Sequence, residues 1–443
     1  MKRKNLSGQL KQKLIERSMQ RKLENAQDDS QGLLEKLTLS GSQRRSRFVD
    51  FTRHPAHQQI TIMREGAQRL GVKDPFFRVH EGCAGATTRI DGRECINFAS
   101  YNYLGLSGDP RVNQAAIEAV ERYGTSVSAS RMVAGERPIH QALESEIADT
   151  YGVDDAVAFV SGHATNVSSI GFLMGPKDLI VHDEYIHNSS VVGAQLAGSK
   201  RIAFKHNDMR SLADILEAQR PHFERVLIIV EGLYSMDGDF PDLPELVSLK
   251  NRYDAWLMVD EAHSFGVMGS TGMGLREHFG LPGHVVDIWM GTFSKTLAGC
   301  GGYIAGSQAL IDMLKTLSPG FLYSVGLPAQ VAAPVLASLQ ILRQEPERIV
   351  KLKLISDYFL DKAKSKGFDT GHSLGWAVVP ILTGSSLKAG QLSVELFDRG
   401  INVQPILYPA VPEKSARLRF FLSSQHSYEQ IDYTLNNLSK IWQ

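Results

Sequence analysis

From Ala156 onward, short apolar runs alternate with stretches of helical periodicity. The runs are Ala156–Val160, Leu179–Val181, Arg201–Phe204, Val226–Val230, Trp256–Val259, Val286–Met290 and Tyr303–Ala305. Helical patterns such as Leu212–Ala218 and Leu243–Arg252 lie between them. A strand buried on both faces must be apolar throughout, and parallel strands need helical crossovers. The alternation therefore predicts an α/β fold with a large, mostly parallel seven-stranded sheet covered by helices on both faces. Near Pro328 the pattern lengthens into helical periods that run to about Lys364. A strand (Ala377–Leu382), a helix (Leu392–Arg399), a strand near Leu418–Leu422 and a last helix from Tyr428 follow. These predict a smaller α+β C-terminal domain. The expected division is a basic extension at 1–50, an N-terminal segment at 51–106, the large domain at 107–327 and the small domain at 328–443.

In open α/β sheets, ligands sit outside the carboxyl ends of the strands, and polar residues follow five of these strands. Ser161-Gly162-His163-Ala164-Thr165-Asn166 opens a helix, whose free N–H groups and positive end suit a phosphate. The run from His182 to Ser189 offers a flat aromatic able to lie over a ligand ring. Glu231 to Asp239 is a polar loop bracketed by glycine. Asp260-Glu261-Ala262-His263 resembles a helicase motif, but no G-x-x-x-x-G-K-[ST] accompanies it. A buried Asp260 is costly unless it meets a cation, and a protonated ring nitrogen is such a partner. In Gly291-Thr292-Phe293-Ser294-Lys295-Thr296, a lysine follows two hydroxyl residues. Desolvation there would lower its pKa and make it a usable amine. A phosphate turn, a stacking histidine, a strand-end Asp and His, and a lysine 35 residues after that Asp are together what pyridoxal 5'-phosphate requires.

Charge and cysteine usage narrow the class. Lys+Arg and Asp+Glu are both 48, so no large phosphate-neutralising field exists and a nucleic-acid binder is not expected. Cys83, Cys95 and Cys300 match no zinc or disulfide spacing, and no metal site is expected. The longest aliphatic run, Val226–Val230, is far short of a membrane span, and no apolar stretch follows the basic N-terminus as a secretory signal would require. The expectation is a soluble cytoplasmic protein, either an enzyme or a large binding protein on an enzyme-like scaffold. Residues up to about Arg47 are polar and basic, with Leu10 and Leu14, and Ile15, Met19 and Leu23, at helical spacing. A basic amphipathic helix there would pack on a partner subunit or dock an acidic partner. Gln31 to Ser46 resembles a linker.

The motifs as a set resemble the α-oxoamine synthases, a branch of the fold-type I PLP-dependent transferases. The resemblance spans about Phe76 to Trp442. It rests on Ser100 to Leu106, His206-Asn207-Asp208, Glu231 to Asp239, Asp260 to Ser264, Thr292 to Lys295 and Ala416 to Arg419. It implies an acyltransferase that joins a small amino acid (glycine, alanine or serine) to an acyl thioester, giving an α-amino ketone, CO2 and free thiol. By position, Lys295 matches the Schiff-base lysine, Asp260 the partner of the ring nitrogen, His263 the donor to the ring hydroxyl and His187 the stacking histidine. Gly162 and His163 match the turn beside the cofactor, Ser235 a neighbour of it, and Thr292 and Ser294 its phosphate ligands. Ser324 matches a residue that reaches the phosphate from the second subunit, which implies a homodimer. Arg419 matches the carboxylate-binding arginine, with Asn102 and Arg78 on the substrate side.

The chain departs from the family at Thr125 to Arg131, where glycine is usual, at Gly135-Glu136 in place of Gly-Thr, and at Ala410 in place of Thr. With Phe76 to His80, these features look more like the secondary-metabolism branch, which often takes its acyl group from an acyl-carrier protein rather than coenzyme A. An aminotransferase or lyase on the same scaffold is the alternative activity. A non-catalytic subunit of a heterodimer is disfavoured because Lys295 is present.

Overall fold

The computed structural model describes residues 48–69 and 73–442. The expected basic helix and linker before residue 48 lie outside them. The chain divides after Asp74. In the first unit, Asp50 caps a short turn, Phe51–Arg53, by accepting from the Thr52 amide at 2.9 Å. A helix, Pro55–Arg69, follows it.

The second unit opens with strands β1 (Thr87–Ile90) and β2 (Arg93–Asn97), which form an antiparallel hairpin. Asp91 and Gly92 turn it with φ of 51° and 69°, the left-handed pair that suits the twist of a two-residue hairpin. The central sheet comprises β3 (Asp155–Phe159), β4 (Leu179–Asp183), β5 (Lys200–Phe204), β6 (Val226–Glu231), β7 (Trp256–Asp260), β8 (Ile288–Thr292) and β9 (Gly302–Gly306). Their order across the sheet is β3-β9-β8-β7-β6-β4-β5. All neighbours are parallel except β9, which runs against both β3 and β8. Every residue of β6 is buried, as a central strand with helices on both faces requires. The expected seven-stranded, mostly parallel sheet is therefore present.

Helix Ala329–Gln344 packs against Pro110–Tyr123 and Pro138–Tyr151, and Glu347–Ser365 leads to the C-terminal sheet. That sheet contains β10 (Val378–Leu382), β12 (Gln404–Ile406) and β13 (Arg417–Phe421), antiparallel in the order β10-β13-β12. A short β11 (Ile401–Asn402) leaves it to run parallel to β2, so the hairpin near the start of the unit pairs with a strand more than 300 residues later. The separate smaller sheet agrees with the expected α+β C-terminal domain. Among the described residues no helix is long and apolar enough to cross a membrane.

Candidate active site

Four strands of the central sheet end on polar residues along one edge: Asp183, Glu231, Asp260 and Thr292. Glu231 stands directly across from Asp260 in the β6–β7 ladder. Asp260 is buried and accepts from the Asn166 side-chain amide at 2.9 Å and from the Ala262 backbone at 3.0 Å. Burial raises the Glu231 carboxyl to about 8, and the neighbouring Asp260 charge adds to the rise. Lys295 lies between β8 and β9. Burial pulls its amine down to about 8, against the opposing pull of Asp260 and Glu231, and the cation of Arg419 helps the fall. Its Nζ lies 5.6 Å from the centre of the Tyr101 ring.

His263 follows β7 by three residues. Its Nδ1 is 2.7 Å from the Tyr103 hydroxyl, and its ring lies parallel to Phe421 at 6.2 Å. Burial drives its pKa well below the ordinary value, and the charges of Lys295 and Arg419 add to that. His187 caps the Asn188–Ala197 helix, with Nδ1 2.7 Å from the Ser189 hydroxyl. Burial lowers its pKa too, partly offset by Asp260, so its ring is neutral at neutral pH. The His163 ring stands edge-on to it at 6.5 Å.

Gly162 and His163 form the first turn of the Gly162–Leu173 helix, where backbone N–H groups have no intrahelical acceptor. Ser161 caps that helix by accepting from the Ala164 amide. A Cβ at Gly162 would stand 2.7 Å from the Thr292 hydroxyl, so only glycine lets this turn lie against the end of β8. Thr292 donates its single proton to the Gly301 carbonyl at 2.9 Å and accepts from the Ser294 amide at 3.2 Å. The exposed Ser294 hydroxyl is the freer donor of the two.

Arg419 comes from β13. It donates to the Ser235 carbonyl at 3.0 Å and lies 4.6 Å above the Phe421 ring, while its buried Nε has no hydrogen-bond partner among the described residues. Next to it, Arg417 pairs with Asp237 at 2.7 Å. The loop after β6 thus receives both arginines of the small sheet.

Lys295, Asp260, His263, His187, His163, Arg419 and Ser235 therefore converge on one edge, with Gly162, Thr292 and Ser294 clustered around one helix start. Three expected residues have other partners. Both ends of the Asn102 amide bind the Ser107 backbone, at 3.0 and 3.1 Å, so this side chain closes a loop. Arg78 donates to Asn402 at 2.8 Å and lies 3.9 Å above the Phe397 ring. Ser324 donates to the Val325 carbonyl at 3.1 Å, and among the described residues no hydrogen bond ties it to the Lys295 cluster. The sequence reading gave no role to Asn166, Ser189, Tyr103 or Glu231. Glu231 had a visible signal, an acid closing an apolar strand. Asn166 and Tyr103 had none, because Asp260 and His263 lie 94 and 160 residues from them; Ser189 had only its place two residues after His187.

The donor set fits pyridoxal phosphate. Amides at a helix start and Ser294 suit the phosphate, and a buried Asp260 that bonds no cation among the described residues suits a protonated ring nitrogen. A lysine of lowered pKa suits the aldehyde. Fold and site together define a fold-type I pyridoxal-phosphate enzyme. Residues 93–438 match the aminotransferase class I and II family. The chain is 42% identical over 352 residues to 8-amino-7-oxononanoate synthase of Symbiobacterium thermophilum, covering 80% of this chain and 89% of that enzyme. It is 37% identical to serine palmitoyltransferase of Bacteroides ovatus, covering 83% and 92%. The solved structure of Sphingomonas wittichii serine palmitoyltransferase superposes with a TM-score of 0.84 at 27% identity, covering 88% of this chain and 98% of that one. The chain belongs to the α-oxoamine synthases, acyltransferases that depend on pyridoxal phosphate.

Proposed function

We propose that the protein condenses glycine, alanine or serine with an acyl thioester. A carbon–carbon bond forms between the amino-acid Cα and the acyl carbon, the carbon–sulfur bond breaks, and CO2 and thiol leave. The observation that carries this reading is the buried guanidinium of Arg419, whose Nε has no hydrogen-bond partner among the described residues, close enough to Lys295 for its charge to act on that amine. A carboxylate gripped there gains a charge-assisted contact of roughly 1.5–3 kcal/mol. The grip also sets which Cα bond faces the ring, so positioning selects the bond broken.

When bound, pyridoxal phosphate supplies a sink for the negative charge that develops at Cα. Asp260 would keep the ring nitrogen protonated, and His263, braced by Tyr103, would meet the ring hydroxyl. Gly162 and His163, with Thr292 and Ser294, would hold the phosphate, the Thr292 proton turning to it from the Gly301 carbonyl, and Ser235 would flank the ring. Lys295, with an amine near 8, would remove the Cα proton as general base. His187 would cover the ring and donate to the thioester carbonyl oxygen. Ser324 would act from the second subunit of a homodimer in the cytoplasm. Arg78 and Asn102 would support the substrate side through the loops they hold.

The departures at residues 125–131, 135–136 and 410, and the basic N-terminal stretch, favour a donor carried on an acidic acyl-carrier protein over one on coenzyme A. The deciding assay measures CO2 release against thioester consumption for each amino acid, with both kinds of donor. One CO2 per thioester is expected. A keto acid formed without CO2 would indicate an aminotransferase instead, and a strong preference for coenzyme A would end the carrier-protein reading.

A further inference from the structure

Asp260 and His187 are joined by two buried side chains that the proposed chemistry leaves unused. Asn166 and Ser189 are each 1% exposed. They meet because the Gly162–Leu173 and Asn188–Ala197 helices lie very close. A Cβ at Gly193 would stand 2.9 Å from the Asn166 carbonyl oxygen and 3.0 Å from the Ile170 Cβ. Across this contact the Asn166 Nδ2 donates to the Asp260 Oδ2 at 2.9 Å and to the Ser189 Oγ at 2.9 Å. The Ser189 Oγ in turn lies 2.7 Å from the His187 Nδ1.

The donor directions follow from what each group can offer. A carboxylate only accepts, so the Asn166 amide must turn its nitrogen toward Asp260. That nitrogen has two protons, and the second goes to the Ser189 oxygen. Ser189 then accepts from Asn166 and has its own proton to give, and His187 Nδ1 lies in reach. The Ser189 backbone N–H approaches the same Nδ1 at 3.3 Å. Two donors converge on Nδ1, so Nδ1 is the acceptor and the proton of the neutral ring sits on Nε2.

We propose that Asn166 and Ser189 are positioning residues that hold His187 as the Nε2–H tautomer, with a hydrogen-bond donor on the side of the ring away from its helix. This rests on the reading of His187 as the donor to the thioester carbonyl. The opposite tautomer would aim a lone pair at that oxygen, and a charged ring would lose its acceptor at Nδ1.

The test uses holoenzyme labelled with 15N-histidine, with the His187 signals assigned from the His187→Gln variant. Long-range nitrogen–proton correlation should show an unprotonated Nδ1 and a protonated Nε2 at neutral pH. Ser189→Ala and Asn166→Ala should convert His187 to a mixture of tautomers and raise its pKa, because donors to Nδ1 favour the neutral ring. The kcat should fall about ten-fold, as expected for one lost hydrogen bond in the transition state, while the KM for the amino acid stays within about two-fold. Ser189→Thr, which keeps the hydroxyl, should restore both tautomer and rate. A protonated Nδ1 in the wild type, or an unchanged tautomer in Ser189→Ala, would overturn the proposal. Wild-type spectra decide the first point even if a variant folds poorly. The expected tautomer in a protein that turns over no amino acid and thioester would support the relay while refuting the proposed reaction.

Discussion

Replacing His206 by glutamine removes a cation held between two buried carboxylates. Its ring bonds Asp183 at 2.9 Å and Asp239 at 2.8 Å, and Tyr185 lies 4.4 Å from its ring centre. Burial alone would lower the pKa of His206, yet the bonds and charges of the two carboxylates raise it from 6.5 to about 10. At about 1.4 kcal/mol per unit, that shift sets a ceiling near 5 kcal/mol. The ring is partly open to solvent, and screening reduces the expectation to about 2–3 kcal/mol. The folded pKa lies above the unfolded one, so the contribution is complete below about pH 6.5 and fades as pH climbs toward 10. The assay is urea unfolding of wild type and His206→Gln from pH 6 to 10.5, at one protein and cofactor concentration. The stability gap should be widest at pH 6 and shrink steadily above 6.5. A gap that is constant with pH, or absent at pH 6, would refute the charge argument. A loss of amino-acid affinity should accompany it, because the Asp239 end of this tie belongs to the loop that supplies Arg419 with the Ser235 carbonyl.

Other perturbations separate the parts of the site. Lys295→Ala should abolish both the coloured cofactor adduct and turnover, and borohydride followed by peptide mapping should tag Lys295 alone in the wild type; a tag elsewhere would contradict the assignment. Arg419→Ala should raise the amino-acid KM by roughly ten-fold or more, from the loss of a charge-assisted contact, and an unchanged KM would count against the grip. Gly193→Ala should force the two helices apart and cost about 1–3 kcal/mol of overpacking, offset by up to about 1 kcal/mol of helix propensity. Its kcat should fall with its melting temperature, since the Asn166–Ser189 bond shares that contact; full activity in a destabilised variant would uncouple them.

The regular elements of the central sheet were legible because their signals are local. The Leu243–Arg252 helix matches its periodicity at both ends, and β6 is as buried as its uninterrupted apolar run implied. The edges shifted where polar residues continue a strand. β4 extends through His182 and Asp183, and β8 begins at Ile288 rather than Val286. The β1–β2 hairpin was overlooked although Asp91-Gly92 is a strong turn pair, because its flanking runs are short and polar. β11 and β12 span only two and three residues, too short for a period to show, and β11 exists through pairing with β2, about 300 residues earlier in the chain.

Residue order alone determined which groups stand at strand ends, and so placed Lys295, Asp260, His263 and His187 among the chemistry-bearing residues. Strand polarity and the period of burial are properties of neighbouring residues, so they survive in one dimension. Only the tertiary structure decided which of those groups meet and in which state. Arg419 reaches the edge because the small sheet delivers it to the loop after β6. Asn102 and Arg78 turn to loop and aromatic contacts instead. The proton positions on His187 depend on two helices approaching at Gly193. Distances, desolvation and donor direction are set by packing between segments far apart in the chain, and they carry no signature in the residues taken singly.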